Sequence, residues 1–119
     1  ITTDTNMSVQ AVTVNALAGD DTVTIENLSA IACPVLVTIN GGDGNDLITA
    51  LGANIGVIRL ALNGDAGNDS LNGDAGMDAL NGGAGDDTIN GGSTNDTIYG
   101  DAGNDSINGG GGGDPAGYP

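Results

Sequence analysis

From Gly64 to Gly117 the chain is six consecutive nine-residue units: GDAGNDSLN, GDAGMDALN, GGAGDDTIN, GGSTNDTIY, GDAGNDSIN and GGGGGDPAG. Position 1 is always glycine and position 6 always aspartate, while position 8 holds Leu71, Leu80, Ile89, Ile98, Ile107 and finally Ala116. Repetition at a short fixed period marks a solenoid, in which each unit buries its apolar face only against its neighbours. Few other architectures accept a single large aliphatic per repeat.

The same cassette appears upstream at Gly41 to Thr49 (GGDGNDLIT) and, in worn form, at Ala16 to Thr24 (ALAGDDTVT), with starts 25 and then 23 residues apart. Between these cassettes lie short alternating runs: Val12-Thr-Val14, Val35-Leu-Val37-Thr-Ile39 and Ile58-Arg-Leu60-Ala-Leu62. Period-two alternation predicts strands with one buried face. Taking two nonapeptides as one 18-residue coil brings every element into line. Val14, Ile39, Leu62, Leu80 and Ile98 then form one inward column, with Val23, Ile48, Leu71, Ile89 and Ile107 facing it. The expected fold is an all-β parallel solenoid of five coils. At about 4.8 Å per coil it would be roughly 24 Å tall. Residues 1–63 would form a wider-coiled part with Leu28, Ile31, Ile55 and Val57 as extra filling, and 64–117 the narrow coils of the same domain, with 118–119 as a tail.

Such a sequence needs help to fold. Sixteen acids face one base, Arg59, giving a formal net charge of −15, and 23 glycines accompany an aromatic content of 2%. That balance alone suggests disorder, yet the 38% apolar content is regularly placed, which argues for order once the acids are neutralised. Nucleic acid is excluded as a partner, because phosphate binding relies on lysine and arginine. An anionic membrane surface is disfavoured, and no apolar run is long enough to span a bilayer or resembles a signal peptide. Cys33 stands alone and reads as a small buried thiol. Because the sequence opens at Ile1 inside a patterned region, it reads as a piece of a larger parent chain.

Glycine and aspartate at these spacings have a joint explanation. Glycine permits the tight reversal and the close backbone approach. Turns of successive coils stack, so each position-6 aspartate lies near its copy one coil away, and two such carboxylates repel unless a cation lies between them. Ca²⁺ takes six to eight oxygens, from carboxylates and backbone carbonyls alike. The pattern resembles the G-G-x-G-x-D-x-U-x signature of the repeats-in-toxin (RTX) family, the haemolysin-type calcium-binding repeat. The resemblance covers about half the chain without a break, plus the isolated Gly41–Thr49 match. It implies a right-handed parallel β-roll whose turns hold about five Ca²⁺ ions between aspartates and carbonyls. It also implies type I secretion from Gram-negative bacteria, with calcium-triggered folding outside the cell.

Carried over by position, the resemblance pairs Asp46 with Asp69, Asp69 with Asp87, and Asp87 with Asp105 along one edge. The other edge would pair Asp78 with Asp96 and Asp96 with Asp114, and Asp21 with Asp46 would be a further pair in the wide coils. Backbone ligands would come from glycines such as Gly64, Gly67, Gly82, Gly85, Gly100 and Gly103. Thr94 replaces the position-4 glycine on the second edge. Pro115 and Ala116 replace strand residues in the last unit, so the roll is expected to fray there.

Asp65, Asp74 and Asp101 at position 2 read as turn residues, and Asn72, Asn90 and Asn108 at position 9 as an outward polar row. Without histidine no Ser or Cys triad can be assembled, and acids repeated as architecture do not make a glycosidase pair. An enzyme is therefore not expected. The expected function is a calcium-stiffened structural module of a secreted or cell-surface bacterial protein, of adhesin, surface-layer or fibre type. Alternatives are the carboxy-terminal secretion and folding domain of a type I-secreted protease or lipase, and a self-assembling filament subunit. Outward-facing Leu36 and Leu47 and uncapped first strands favour the filament. Ice binding would need a threonine ladder on the turns, which position 3 does not provide.

Overall fold

A computed structural model describes residues 11–26, 35–51, 58–113 and 116–117. Its strands are β1 (Ala11–Ala18), β2 (Thr22–Glu26), β3 (Val35–Asp43), β4 (Leu47–Leu51), β5 (Ile58–Ala66), β6 (Ser70–Asn72), β7 (Ala79–Ala84), β8 (Thr88–Asn90), β9 (Thr97–Ala102), β10 (Ser106–Asn108) and β11 (Ala116–Gly117). Odd strands form one six-stranded sheet in the order β1-β3-β5-β7-β9-β11, and even strands form a five-stranded sheet, β2-β4-β6-β8-β10. Every pairing is parallel and joins elements one coil apart. The all-β parallel roll expected from the repeat is what forms.

The register reproduces both aliphatic columns. Val14 pairs with Ile39, then Leu62, Leu80 and Ile98. Across from them Val23 pairs with Ile48, then Leu71, Ile89 and Ile107. Seven of these ten, from Ile39 and Ile48 up to Ile98 and Ile89, expose 1% or less of their surface. Because side chains alternate along a strand, position 8 faces inward while positions 7 and 9 face out. Leu36 and Leu47 are correspondingly exposed.

The wide coils add Ile25, Val37, Ala50, Ile58 and Leu60 to the core. Leu28, Ile31, Ile55 and Val57 lie outside the described residues. The expected fraying at the last unit is corrected in part. Ala116 still pairs with Ile98, and Gly117 with Tyr99. A parallel ladder is made by backbone groups, so it tolerates the loss of a large side chain at position 8.

Candidate metal centres

Two backbone conformations repeat in every turn. Positions 2 and 4 of all eight cassettes have positive φ. At position 4 the glycines take φ between 119° and 143°, a region closed to other residues, and a Cβ on Gly67, Gly85 or Gly103 would fall 1.7–1.9 Å from the position-4 carbonyl of the preceding coil. Position 2 needs only the left-handed region, which Asp65, Asp74 and Asp101 enter at φ 74°, 67° and 68°. Aspartate tolerates that region better than most residues.

The paired left-handed bends curl the turn so that position 6 shares the inward direction of position 8. Asp46, Asp69, Asp78, Asp87 and Asp96 are all at least 97% buried, whereas Asp21 and Asp105, at the two ends of their column, are half-buried. Each carboxylate after Asp21 reaches back one coil. Oδ1 of Asp46 accepts the Asp21 N–H at 2.9 Å, Asp69 that of Asp46 at 2.7 Å, Asp87 that of Asp69 at 2.8 Å, and Asp105 that of Asp87 at 3.0 Å. On the opposite edge Asp96 accepts from Asp78 N–H at 3.0 Å, and Asp78 accepts from Leu60 N–H at 2.9 Å. The structure thus brings together Asp21, Asp46, Asp69, Asp87 and Asp105 in one column, and Asp78 with Asp96 in the other. Asp114 lies outside the described residues.

The second oxygen of these groups is left over. Oδ2 of Asp21, Asp46, Asp69, Asp78 and Asp87 is buried and accepts no hydrogen bond. Leaving an ionised oxygen buried and unsatisfied is costly. Oδ2 of Asp46, Asp69, Asp78 and Asp87 points at the position-1 glycine of its own turn, and at Gly41, Gly64 and Gly73 a second oxygen converges there. A Cβ on Gly64 would lie 2.3 Å from Asp69 Oδ2 and 2.5 Å from the Gly82 carbonyl oxygen. The same arrangement holds at Gly41, with Asp46 Oδ2 at 2.2 Å and Gly64 O at 2.8 Å, and at Gly73, with Asp78 Oδ2 at 2.8 Å and Gly91 O at 2.7 Å. A Cβ on Gly82 or Gly100 would likewise fall 2.2 Å from Oδ2 of Asp87 or Asp105. At Gly41, Gly64, Gly73, Gly82 and Gly100 glycine is therefore required by the carboxylate, not by φ.

Burial raises the carboxyl of Asp78 to about 7, partly offset by the Leu60 N–H and by Arg59, with Asp96 and Asp74 adding to the rise. Asp69 and Asp87 are raised too, first by burial and then by neighbouring aspartates, against the pull of the N–H each accepts. Buried acids driven upward in this way call for a cation or a proton. No three acidic side chains converge in one cluster among the described residues. A cation would therefore draw on stacked carboxylates and backbone carbonyls together. Oxygen-only, anionic, unsatisfied groups of this kind fit a hard divalent ion.

Thr94 keeps the second edge intact by a different route. It enters the left-handed region at φ 84°, and its hydroxyl donates to the Gly76 carbonyl, its position-4 counterpart one coil before. Position 5 carries a ladder that the repeat pattern did not single out. Backbone N–H groups of Asn45, Asn68, Asp86 and Asn104 each donate at 2.8 Å to Oδ1 of Asp20, Asn45, Asn68 and Asp86. The recurrence of Asp or Asn at position 5 was its signal.

The family model of the RTX calcium-binding nonapeptide repeat (4 copies) matches residues 38–54, 61–89 and 81–114. Neither the curated proteins nor the solved structures compared with this protein gave a match.

Proposed function

Since the chain belongs to the RTX calcium-binding nonapeptide repeat family, we propose that it is a calcium-stiffened structural module of a secreted or cell-surface bacterial protein, carried within a larger parent chain. The observation that supports this most directly is the set of buried Oδ2 atoms without hydrogen-bond partners on Asp21, Asp46, Asp69, Asp78 and Asp87, in five successive turns. One ion would serve each stacked pair: Asp21 with Asp46, Asp46 with Asp69, Asp69 with Asp87, Asp87 with Asp105, and Asp78 with Asp96. Position-1 carbonyls such as those of Gly64, Gly82 and Gly91 would complete the shell. The ion supplies positive charge and a cross-link between coils.

Folding and binding are then one process. An unfolded polypeptide of net charge −15 offers no preformed site, so calcium affinity is expressed as folding free energy. In low-calcium surroundings the protein stays open, and in calcium-rich surroundings it becomes a rod. Circular dichroism during a calcium titration tests this. β-structure should appear cooperatively with calcium and vanish with chelator. A protein that keeps its full β signal in chelator would overturn the reading.

A further inference from the structure

The position-5 ladder has one missing rung. On the first edge the N–H groups of Asn45, Asn68, Asp86 and Asn104 each reach the Oδ1 one coil before, and on the second edge Gly113 N–H donates to Asn95 Oδ1 at 2.8 Å. The remaining stacked pair is Met77 with Asn95. Ala79 pairs with Thr97 two residues further on, and Asp78 N–H donates to Asp96 at 3.0 Å, so the two position-5 residues are in register. Yet among the described residues Asn95 N–H finds no acceptor.

The side chain is the cause. Met77 stands where every bonded step of the ladder has an aspartate or asparagine as acceptor. Its Sδ lies three bonds from Cα, as Oδ1 of asparagine does, but a thioether sulfur is a weak acceptor. A peroxide changes that. A sulfur lone pair attacks one peroxide oxygen, the S–O bond forms as the O–O bond breaks, and the other oxygen leaves as water once the protons are redistributed. Sulfur gives up two electrons and the peroxide takes them, so thioether and hydrogen peroxide become sulfoxide and water. An apolar side chain then carries a polar S–O group.

The surroundings suit both the reaction and its product. Met77 is 52% exposed, so a small oxidant in solution reaches the side chain. It lines a groove of about 270 Å³ together with Leu36, Arg59 and Asn95, so an added oxygen displaces no packed neighbour. The unbranched chain has the freedom to turn that oxygen back onto the Asn95 N–H. We propose that Met77 is an oxidation site whose sulfoxide supplies the missing rung to Asn95, so that oxidation tightens this turn where it ordinarily loosens a fold. Met77 adjoins Asp78 and Asn95 adjoins Asp96. The closed ladder therefore steadies the turns that one ion would share, a consequence that rests on the calcium reading above.

The test is residue-resolved amide hydrogen exchange on the whole protein in calcium, with Met7→Leu and Cys33→Ala leaving Met77 as the sole sulfur-bearing side chain. Hydrogen peroxide should slow exchange at Asn95 by roughly 2- to 10-fold, the range for one added hydrogen bond. Methionine sulfoxide reductases should restore the original rate. Met77→Asn should slow the same amide with no oxidant, and Met77→Leu should hold it at the parent rate with or without peroxide. An Asn95 amide that exchanges as fast or faster after full conversion of Met77, or that stays unslowed in Met77→Asn, would overturn the proposal. A calcium titration of the sulfoxide form separates the two ideas. It should fold at lower calcium than the thioether form; an unchanged requirement beside a slowed amide would break the link to the ion and leave the ladder standing on exchange alone.

Discussion

The wide coils and the narrow coils solve the same problem with different materials. Around β3, β4 and β5 the interior holds Val37, Ala50, Ile58 and Leu60 beside the two aliphatic columns, and described aspartates line one edge. From Gly64 to Ile107 each strand brings one large aliphatic to the core, and position-6 aspartates occupy both edges. Apolar filling thus recedes as acidic turns multiply. Burying an aliphatic side chain is worth about 1.5–3 kcal/mol whatever the solution contains. Buried acids help only when something neutralises them. The wide end should therefore be the part that depends least on calcium.

Regional hydrogen exchange is the strongest way to break that comparison. On chelation, amides of β6 to β10 should lose protection at lower chelator concentration than those of β3 to β5. Uniform loss would mean that the roll is one cooperative unit and that its two ends do not differ in kind.

A single carboxylate should show nearly the same effect. Asp87 accepts from Asp69 N–H, and its own N–H donates to Asp105, so it belongs to two stacked pairs. Asp87→Ala should raise the calcium needed for folding severalfold and cost about 3 kcal/mol or more in calcium, because it strands buried partners. Asp20 is exposed and among the described residues its side chain bonds only Asn45, so Asp20→Ala should cost about 1 kcal/mol at most. Calcium titrations of both variants followed by circular dichroism would compare them. Equal midpoints would dissolve the pairing scheme.

Much of this was legible because the period is rigid. Once two nonapeptides make a coil, the columns through Leu62 and Leu71 and the alignment of Asp69 with Asp87 follow from counting. The carboxylate's posture could not be counted. Repetition places Asp69 near Asp87 but does not reveal that one oxygen is taken by a backbone N–H while the other turns toward Gly64. Nor does it show which glycines serve φ and which serve space, since both are written with the same letter. Asn72 and Asn90, read as an outward polar row, are half-buried and bonded to one another. A strand pattern gives a side chain's direction but not its lateral partner.

The distinction between glycines yields a smaller and cleaner test. Gly82 has no positive φ, so alanine is acceptable to its backbone, yet a Cβ there would lie 2.2 Å from Asp87 Oδ2. Gly82→Ala displaces the carboxylate without deleting it. Gly111, with nothing within 4 Å of its Cβ position, is the matched control. Gly82→Ala should weaken calcium-induced folding by about 1–3 kcal/mol, within the range for overpacking, while Gly111→Ala stays near the parent. Calorimetry in calcium would compare them, and indistinguishable melting temperatures would detach position 1 from the site.

The junction between the two regions carries the mildest effect. Asp78 opens the second column, bonded to Leu60 of the last wide coil, and burial lifts its carboxyl to about 7 from an ordinary 3.8. Without metal, the folded state holds this proton more tightly than the unfolded state does. The resulting stability is fully present below the unfolded value and is lost as pH rises through about 7. Asp69 and Asp87 are raised and act in the same direction. Calcium reverses the trend, because it competes with protons for the same carboxylates and binds best when they are ionised. Metal-free protein should therefore gain residual β-structure on acidification from pH 8 to 5, while the calcium required for folding rises over the same interval. Asp78→Asn should flatten the metal-free response near the junction. If the metal-free and calcium-bound forms shift the same way with pH, then protons and calcium do not compete for these turns, and the acidic half of the roll is held by something other than its carboxylates.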